Sequence, residues 1–175
     1  FGYSVSSEQL ADLFRETARE IANFKSLVAY KVRNANQKLA LTEEAVKATE
    51  VLKHLTDSWD NLTAVTSRFV QNQQEKGNQL RVTRSTRKQP DWVHIEIGWE
   101  NVSQHLDNLG QHLSRLLTAI DSVQSGNITN TTEELTNLTV RIDETKLRIS
   151  DFVVHDEDEK VYWVNLTGPG ALPTL

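Results

Sequence analysis

Arg81, Arg84, Arg87 and Lys88 crowd into one short stretch, and between Lys76 and Lys88 the chain carries no acid at all. Guanidinium and ammonium groups gathered this way can neutralise a phosphate backbone. Trp92 and Trp99, close by in sequence, offer rings on which unpaired bases could stack, and charge with stacking is what a single-strand nucleic-acid surface requires. The same charges equally suit a solvated edge strand protected from edge-to-edge pairing. Both readings stand at this level.

Other reactive groups do not assemble into a site. His54, His94, His105, His112 and His155 are the histidines; His105 and His112 are seven apart and share a helix face, but no carboxylate joins them at ligand spacing. They read as ordinary helix histidines. Asp156 to Glu159 has the charge of a metal site and reads instead as a solvated acidic loop. A Gly-x-x-x-x-Gly-Lys-Ser/Thr phosphate loop, a DEAH box and an assignable arginine finger are all missing. Cysteine is absent, which removes thiol catalysis, iron–sulfur ligation and Cys-based zinc sites together. No catalytic, cofactor-binding or metal-ligating residue is expected.

The elements that would carry the basic stretch are helices. From Ala45 the apolar residues run Ala45, Val46, Ala48, Leu52, Leu55, Trp59, Leu62, Val65 and Phe69, the three-four spacing of one helix face. Three further stretches repeat the pattern, led by Leu10 and Phe14, by Val102 and Leu106, and by Leu135 and Leu138. Seven Gly and three Pro in 175 residues favour long uninterrupted helices. The spacing predicts helices over about 7–34, 42–76, 99–125 and 131–153. Ser6 or Ser7 would cap the first, Asn34 to Thr42 would break it from the second, and Gly77 and Ser125-Gly126 would act as stops. Leu80, Val82 and Arg84, then Val93, Ile95 and Ile97, alternate with period two, which predicts a two-stranded ribbon over about 80–97. Val161 to Val164 reads as a terminal strand over about 161–166 whose sheet would lie elsewhere, and Pro173 argues against a ladder beyond it. The expected fold is therefore mainly α. It is a single domain over 1–175: an antiparallel bundle of about four helices, a small β ribbon between helices 2 and 3, and a terminal strand.

The net charge of −5 is uneven, since Thr131 to Lys160 holds nine acids and four bases while the remainder up to Asn130 balances. No run approaches the roughly 20 apolar residues of a bilayer-spanning helix, and no signal peptide opens the sequence. Met is absent even at position 1, so the sequence reads as a processed or excised segment.

The opening Phe1-Gly2-Tyr3-Ser4-Val5 before a long amphipathic helix resembles the segment leaving the DEAH box of DinG/XPD-like DNA helicases. Val161-Tyr162-Trp163-Val164 resembles the point at which such a chain returns to the motor domain. Between those points the family carries a helical insertion, the arch domain, and the Gln/Asn/Thr-rich composition resembles a Gram-positive DinG-type member. The resemblance implies a non-catalytic accessory domain of an ATP-dependent DNA helicase or exonuclease. It would help to guide single-stranded DNA, with ATP and Mg bound by the parent and with the motor domains of the same chain as partners. It also implies a cytoplasmic location without membrane contact.

Six Asn-x-Ser/Thr sequons, at Asn61, Asn101, Asn127, Asn130, Asn137 and Asn165, support a different class: a secreted or cell-surface glycoprotein stalk. Against it, Leu62 and Leu138 face the expected core, so glycans at Asn61 and Asn137 would be crowded. A periplasmic four-helix sensor domain is a third reading, and it would need membrane helices flanking both ends. The missing motor motifs generate a direct expectation. The purified chain should show no ATPase, helicase or nuclease activity, and ATP turnover abolished by a substitution within it would contradict the site inventory.

Overall fold

The computed structural model describes residues 4–73, 78–121, 129–154, 161–167 and 172–174. Its elements in order are α1 (Ser7–Lys31), α2 (Ala35–Gln73), β1 (Gln79–Val82), α3 (Arg84–Arg87), α4 (Trp92–Asp121), α5 (Thr129–Val153), β2 (Tyr162–Thr167) and β3 (Leu172–Thr174). The fold is mainly α, a helical bundle with a small antiparallel sheet. Its contacts cluster into two compact units. The first takes Phe1–Ala11, Thr56–Gln104 and Thr145–Leu175, and the second takes Asp12–Leu55 and His105–Glu144.

Local chemistry sets the helix ends. Ser6 Oγ accepts from the Gln9 amide at 3.1 Å while Gln9 Oε1 accepts from the Ser6 amide at 3.0 Å, a reciprocal cap that starts α1. The break after α1 comes earlier than the expected 34–42 and is shorter. Asn34 Oδ1 accepts from the amides of Asn36 and Gln37, so α2 starts at Ala35, where the first free N–H groups find a partner. Thr42, expected to open the second helix, instead donates its hydroxyl to the Lys38 carbonyl at 2.7 Å from inside it. The expected stops at Gly77 and Ser125-Gly126 and the acidic loop from His155 to Glu159 lie outside the described residues.

The ribbon over 80–97 is corrected. Only its first half is a strand. Thr83 caps the short α3 through a box with Thr86, and α4 begins at Trp92, so Val93, Ile95 and Ile97 are helical. Those three residues satisfy a period of two, but Trp92, Ile95, Trp99, Val102 and Leu106 satisfy the helical period and are all buried. Helical winding buries both indoles and leaves Val93 and Ile97 outside; a strand would have turned Trp92 to the face opposite Ile95 and Trp99. The start of α4 is tightened by amide bonds from Trp92, Val93 and His94 to the carbonyls of Gln89, Pro90 and Asp91.

The terminal strand is corrected as well. It does not await an outside sheet: β2 lies between β1 and β3 and pairs antiparallel with both. Pro173 sits in β3, an edge strand, opposite Leu166, a position that a residue without an amide proton can occupy.

In the first unit the core gathers Trp59, Leu62, Phe69, Trp92, Ile95 and Phe152. Phe69 meets Trp92 edge-on with ring centres 5.3 Å apart, and Phe152 lies 5.8 Å from the same indole. In the second unit, Phe24, Leu55, Leu109, Leu113, Leu116 and Leu138 are almost wholly buried. Polar contacts between helices flank that seam, with Arg141 Nη1 donating to Glu16 Oε2 at 2.7 Å.

Two helical glycines differ in what surrounds them. A Cβ added at Gly98 would lie 3.1 Å from Leu62 Cδ1, whereas one added at Gly110 meets nothing within 4 Å. Gly110→Ala should therefore gain most of the helix-propensity difference, about 0.5–1 kcal/mol. Gly98→Ala should gain less or lose stability, because the helix packed against it must give way. Equal shifts in denaturation midpoint would contradict that packing.

Candidate nucleic-acid interface

The basic stretch is positioned by β1 and α3, and the register of β1 on β2 decides what lies beside it. Gln79 faces Asn165, Leu80 faces Val164, Arg81 faces Trp163 and Val82 faces Tyr162. The Leu166 amide donates to the Asn78 carbonyl at 2.7 Å, which makes the pair one step beyond Gln79–Asn165 a hydrogen-bonded one. Pairs alternate in an antiparallel ladder, so Arg81–Trp163 is a non-hydrogen-bonded pair, the kind whose Cα atoms approach to about 4.5 Å and whose side chains lie closest.

The two faces of this sheet differ. Val82, Val164 and Leu166 are buried on the inner face. Gln79, Arg81 and Trp163 are exposed on the outer face, with Trp163 retaining 41% of its surface. An exposed guanidinium beside an exposed indole can neutralise a phosphate and stack a base on adjacent positions. Arg81 and Lys88 make no ion pair among the described residues.

The four expected basic residues do not behave alike. Arg81 lies on the outer sheet face, and Arg84 and Lys88 are exposed at the two ends of α3. Arg87 is different. Its Nη2 donates to the Phe152 carbonyl at 2.9 Å, and its guanidinium carbon lies 5.1 Å from the centre of the Tyr162 ring. Tyr162 in turn meets Phe152 edge-on at 6.2 Å. Arg87 thus ties α3 to α5 and β2. The expected stacking rings are also placed elsewhere: Trp92 and Trp99 are 1% and 5% exposed and belong to the core. Among the four tryptophans, the one at the surface is Trp163. Alternation along Val161-Tyr162-Trp163-Val164 was the signal for it, since a strand with Val164 inward turns Trp163 outward.

Three of the histidines have structural partners. His105 stacks on His54 with ring centres 5.9 Å apart. His112 Nδ1 donates to Glu44 Oε1 at 2.6 Å, with Arg115 Nη1 3.5 Å from the same oxygen. Burial alone would raise the Glu44 carboxyl, but the His112 hydrogen bond and the charges of His112, Arg115 and Lys47 outweigh it and hold it below its ordinary range. No group of three or more His, Cys, Asp or Glu able to hold a metal occurs among the described residues. An open cavity of about 430 Å³ lies between α2 and α4 in the first unit, lined by Val65, Arg68, Phe69, His94 and Ile97. No buried polar group converges on it. No helix among the described residues is long and apolar enough to cross a membrane.

Compared with models of protein families, with curated proteins and with solved structures, the chain matches none.

The Glu44 contact carries a pH signature. A carboxyl whose pKa is lowered on folding contributes stability above its unfolded pKa, and that contribution is lost as pH falls through the folded one. Glu44→Gln should therefore be less stable than the parent at neutral pH, with the difference closing on acidification. A gap independent of pH in paired denaturation curves would contradict the assignment.

Proposed function

We propose that the chain is a non-catalytic, arch-like accessory domain of a DinG-type ATP-dependent DNA helicase or exonuclease, and that its outer sheet face guides single-stranded DNA. The observation that carries this reading is the cross-strand pairing of exposed Arg81 with exposed Trp163, extended by Arg84 and Lys88 on α3. A base stacked on the indole would leave its phosphate within reach of the guanidinium. Stacking tolerates any base and phosphate contact reads none, so such a surface holds a strand without choosing a sequence. That is the property a guide needs. The start of α1 and strand β2, where the resemblance places the departure from the motor and the return to it, fall in the same compact unit. ATP and Mg belong to the parent on this reading, and its motor domains are the partners of the accessory domain.

A second reading, a glycoprotein stalk, is favoured by the exposure of Asn61, Asn101, Asn130 and Asn137. The crowding expected at Asn61 and Asn137 does not arise, because Leu62 and Leu138 turn inward while the Asn residues stay at the surface. Thr63 and Thr139 donate their hydroxyls to the carbonyls of Asp60 and Leu135, so glycan transfer would have to precede helix formation. A mass shift on glycosidase treatment of the chain from its native source would select this reading.

The DNA reading is tested in the intact parent. Trp163→Ala should weaken oligothymidylate binding by about 1–3 kcal/mol, the range for one stacked base. Replacing Arg81, Arg84 and Lys88 with Gln should flatten the salt dependence by about 0.7 for every phosphate that is no longer neutralised. Arg87 is left intact because its removal would loosen α3. Unchanged affinity and slope would return the face to a solvated sheet surface.

A further inference from the structure

Between Glu20 and Glu43 the chain carries Lys25, Lys31, Arg33 and Lys38 and no acid. The structure makes this stretch the end of α1, the turn at residues 32–34 and the start of α2, all in the second compact unit. The cations have different duties. Lys38 Nζ donates to the Ala29 carbonyl at 2.7 Å, satisfying one of the free carbonyls at the end of α1. Lys25, Lys31 and Arg33 make no ion pair among the described residues, in contrast to Arg15, Arg19, Arg115 and Arg141, which each find a carboxylate. Lys25 and Lys31 are half-buried and Arg33 is exposed, while on the last turn of α1 Tyr30 is 88% exposed, the most exposed large apolar side chain described, and Leu39 is 59% exposed.

We infer that the α1–α2 turn is a second contact for single-stranded nucleic acid, separate from the sheet face, with Tyr30 stacking a base and Lys25, Lys31 and Arg33 neutralising adjacent phosphates. The inference rests on the single-stranded DNA reading of the sheet face. Charge complementarity selects the occupant: four bases without an acid call for a polyanion, and a fully presented aromatic ring calls for one that carries flat faces. An anionic bilayer would also attract lysines, but it would be entered by an apolar helix face, and the apolar face of α1 is buried through Val28. An acidic polypeptide would meet the charges and leave the ring without a purpose.

The experiment uses the 175-residue chain and fluorescently labelled oligothymidylate at low salt, with polyglutamate and phosphatidylcholine vesicles containing phosphatidylserine as parallel probes. Tyr30→Ala removes a side chain with almost no packing, so circular dichroism should match the parent, while oligothymidylate affinity should fall roughly tenfold. Replacing Lys25, Lys31 and Arg33 with Gln, with Lys38 kept, should lower the affinity and reduce the salt slope by about 0.7 for each phosphate left without its cation. Arg81→Gln combined with Trp163→Ala gives the sheet-face arm. If only that arm weakens binding, the turn inference fails and the earlier reading survives. If only the turn variants do, the reverse holds. Absence of any oligothymidylate binding, polyglutamate binding that falls equally with the triple variant and is indifferent to Tyr30, or tighter capture by the vesicles would each overturn the inference.

Discussion

The indole of Trp92 is the constraint on which the first unit depends. It is 1% exposed, met edge-on by Phe69 of α2 and flanked by Phe152 of α5. A ring of that size yields its burial free energy only if the backbone around it delivers Ile95 and Trp99 to the same side, and the helix does so while an extended chain does not. Winding residues 92–97 into α4 therefore outweighs their β-branched character. The tertiary contact decides a local conformation that local propensity leaves undecided.

That choice leaves β1 without a following strand to form a hairpin, and an unpaired strand of four residues is not stable by itself. β2 supplies the partner from the far end of the chain, with its inner face continuing the same aromatic cluster through Tyr162. Arg87 then closes the arrangement: its guanidinium reaches a carbonyl at the end of α5 and lies over the Tyr162 ring, so α3, α5 and β2 are held by one side chain. The outward position of Trp163 beside Arg81 follows from this register. A slip by one residue would bury Trp163 and expose Tyr162 and Val164.

The second unit is built differently. Its seam is mainly aliphatic, from Leu55 and Leu109 to Leu116 and Leu138 with Phe24 among them, and its specificity comes from partly buried polar contacts at the helix margins. Glu44 accepts from His112 with Arg115 nearby, and Glu16 accepts from Arg141. Such pairs contribute modestly to stability but penalise alternative helix registers, in which one partner would be left desolvated and alone. Lys25 and Lys31 of α1 and Arg33 of the following turn have no such partners among the described residues, and it is this contrast within one unit that marks them.

Much of the fold was legible in the sequence. Four apolar stripes at helical spacing, the Ser6 cap and the terminal strand follow from periodicity and end chemistry, because amphipathic helices declare their buried face residue by residue. The break between α1 and α2 was legible in kind but displaced, since Asn34 and Thr42 both offer a side-chain oxygen and only the folded helix shows which one is used for capping. The candidate site was legible only in part. The basic residues could be named, but Arg81 and Arg87 look alike in a string of letters, and the choice between solvent and a carbonyl of Phe152 is made by packing. The stacking ring was not assigned either: alternation along Val161 to Val164 puts Trp163 opposite Val164, but which of the two faces the core is settled only by the pairing of β2 with β1. Periodicity determined which residues share a face of each element. Which faces meet, and therefore which arginine and which tryptophan stay at the surface, was decided by pairing between segments about eighty residues apart, a long-range contact that no local pattern encodes.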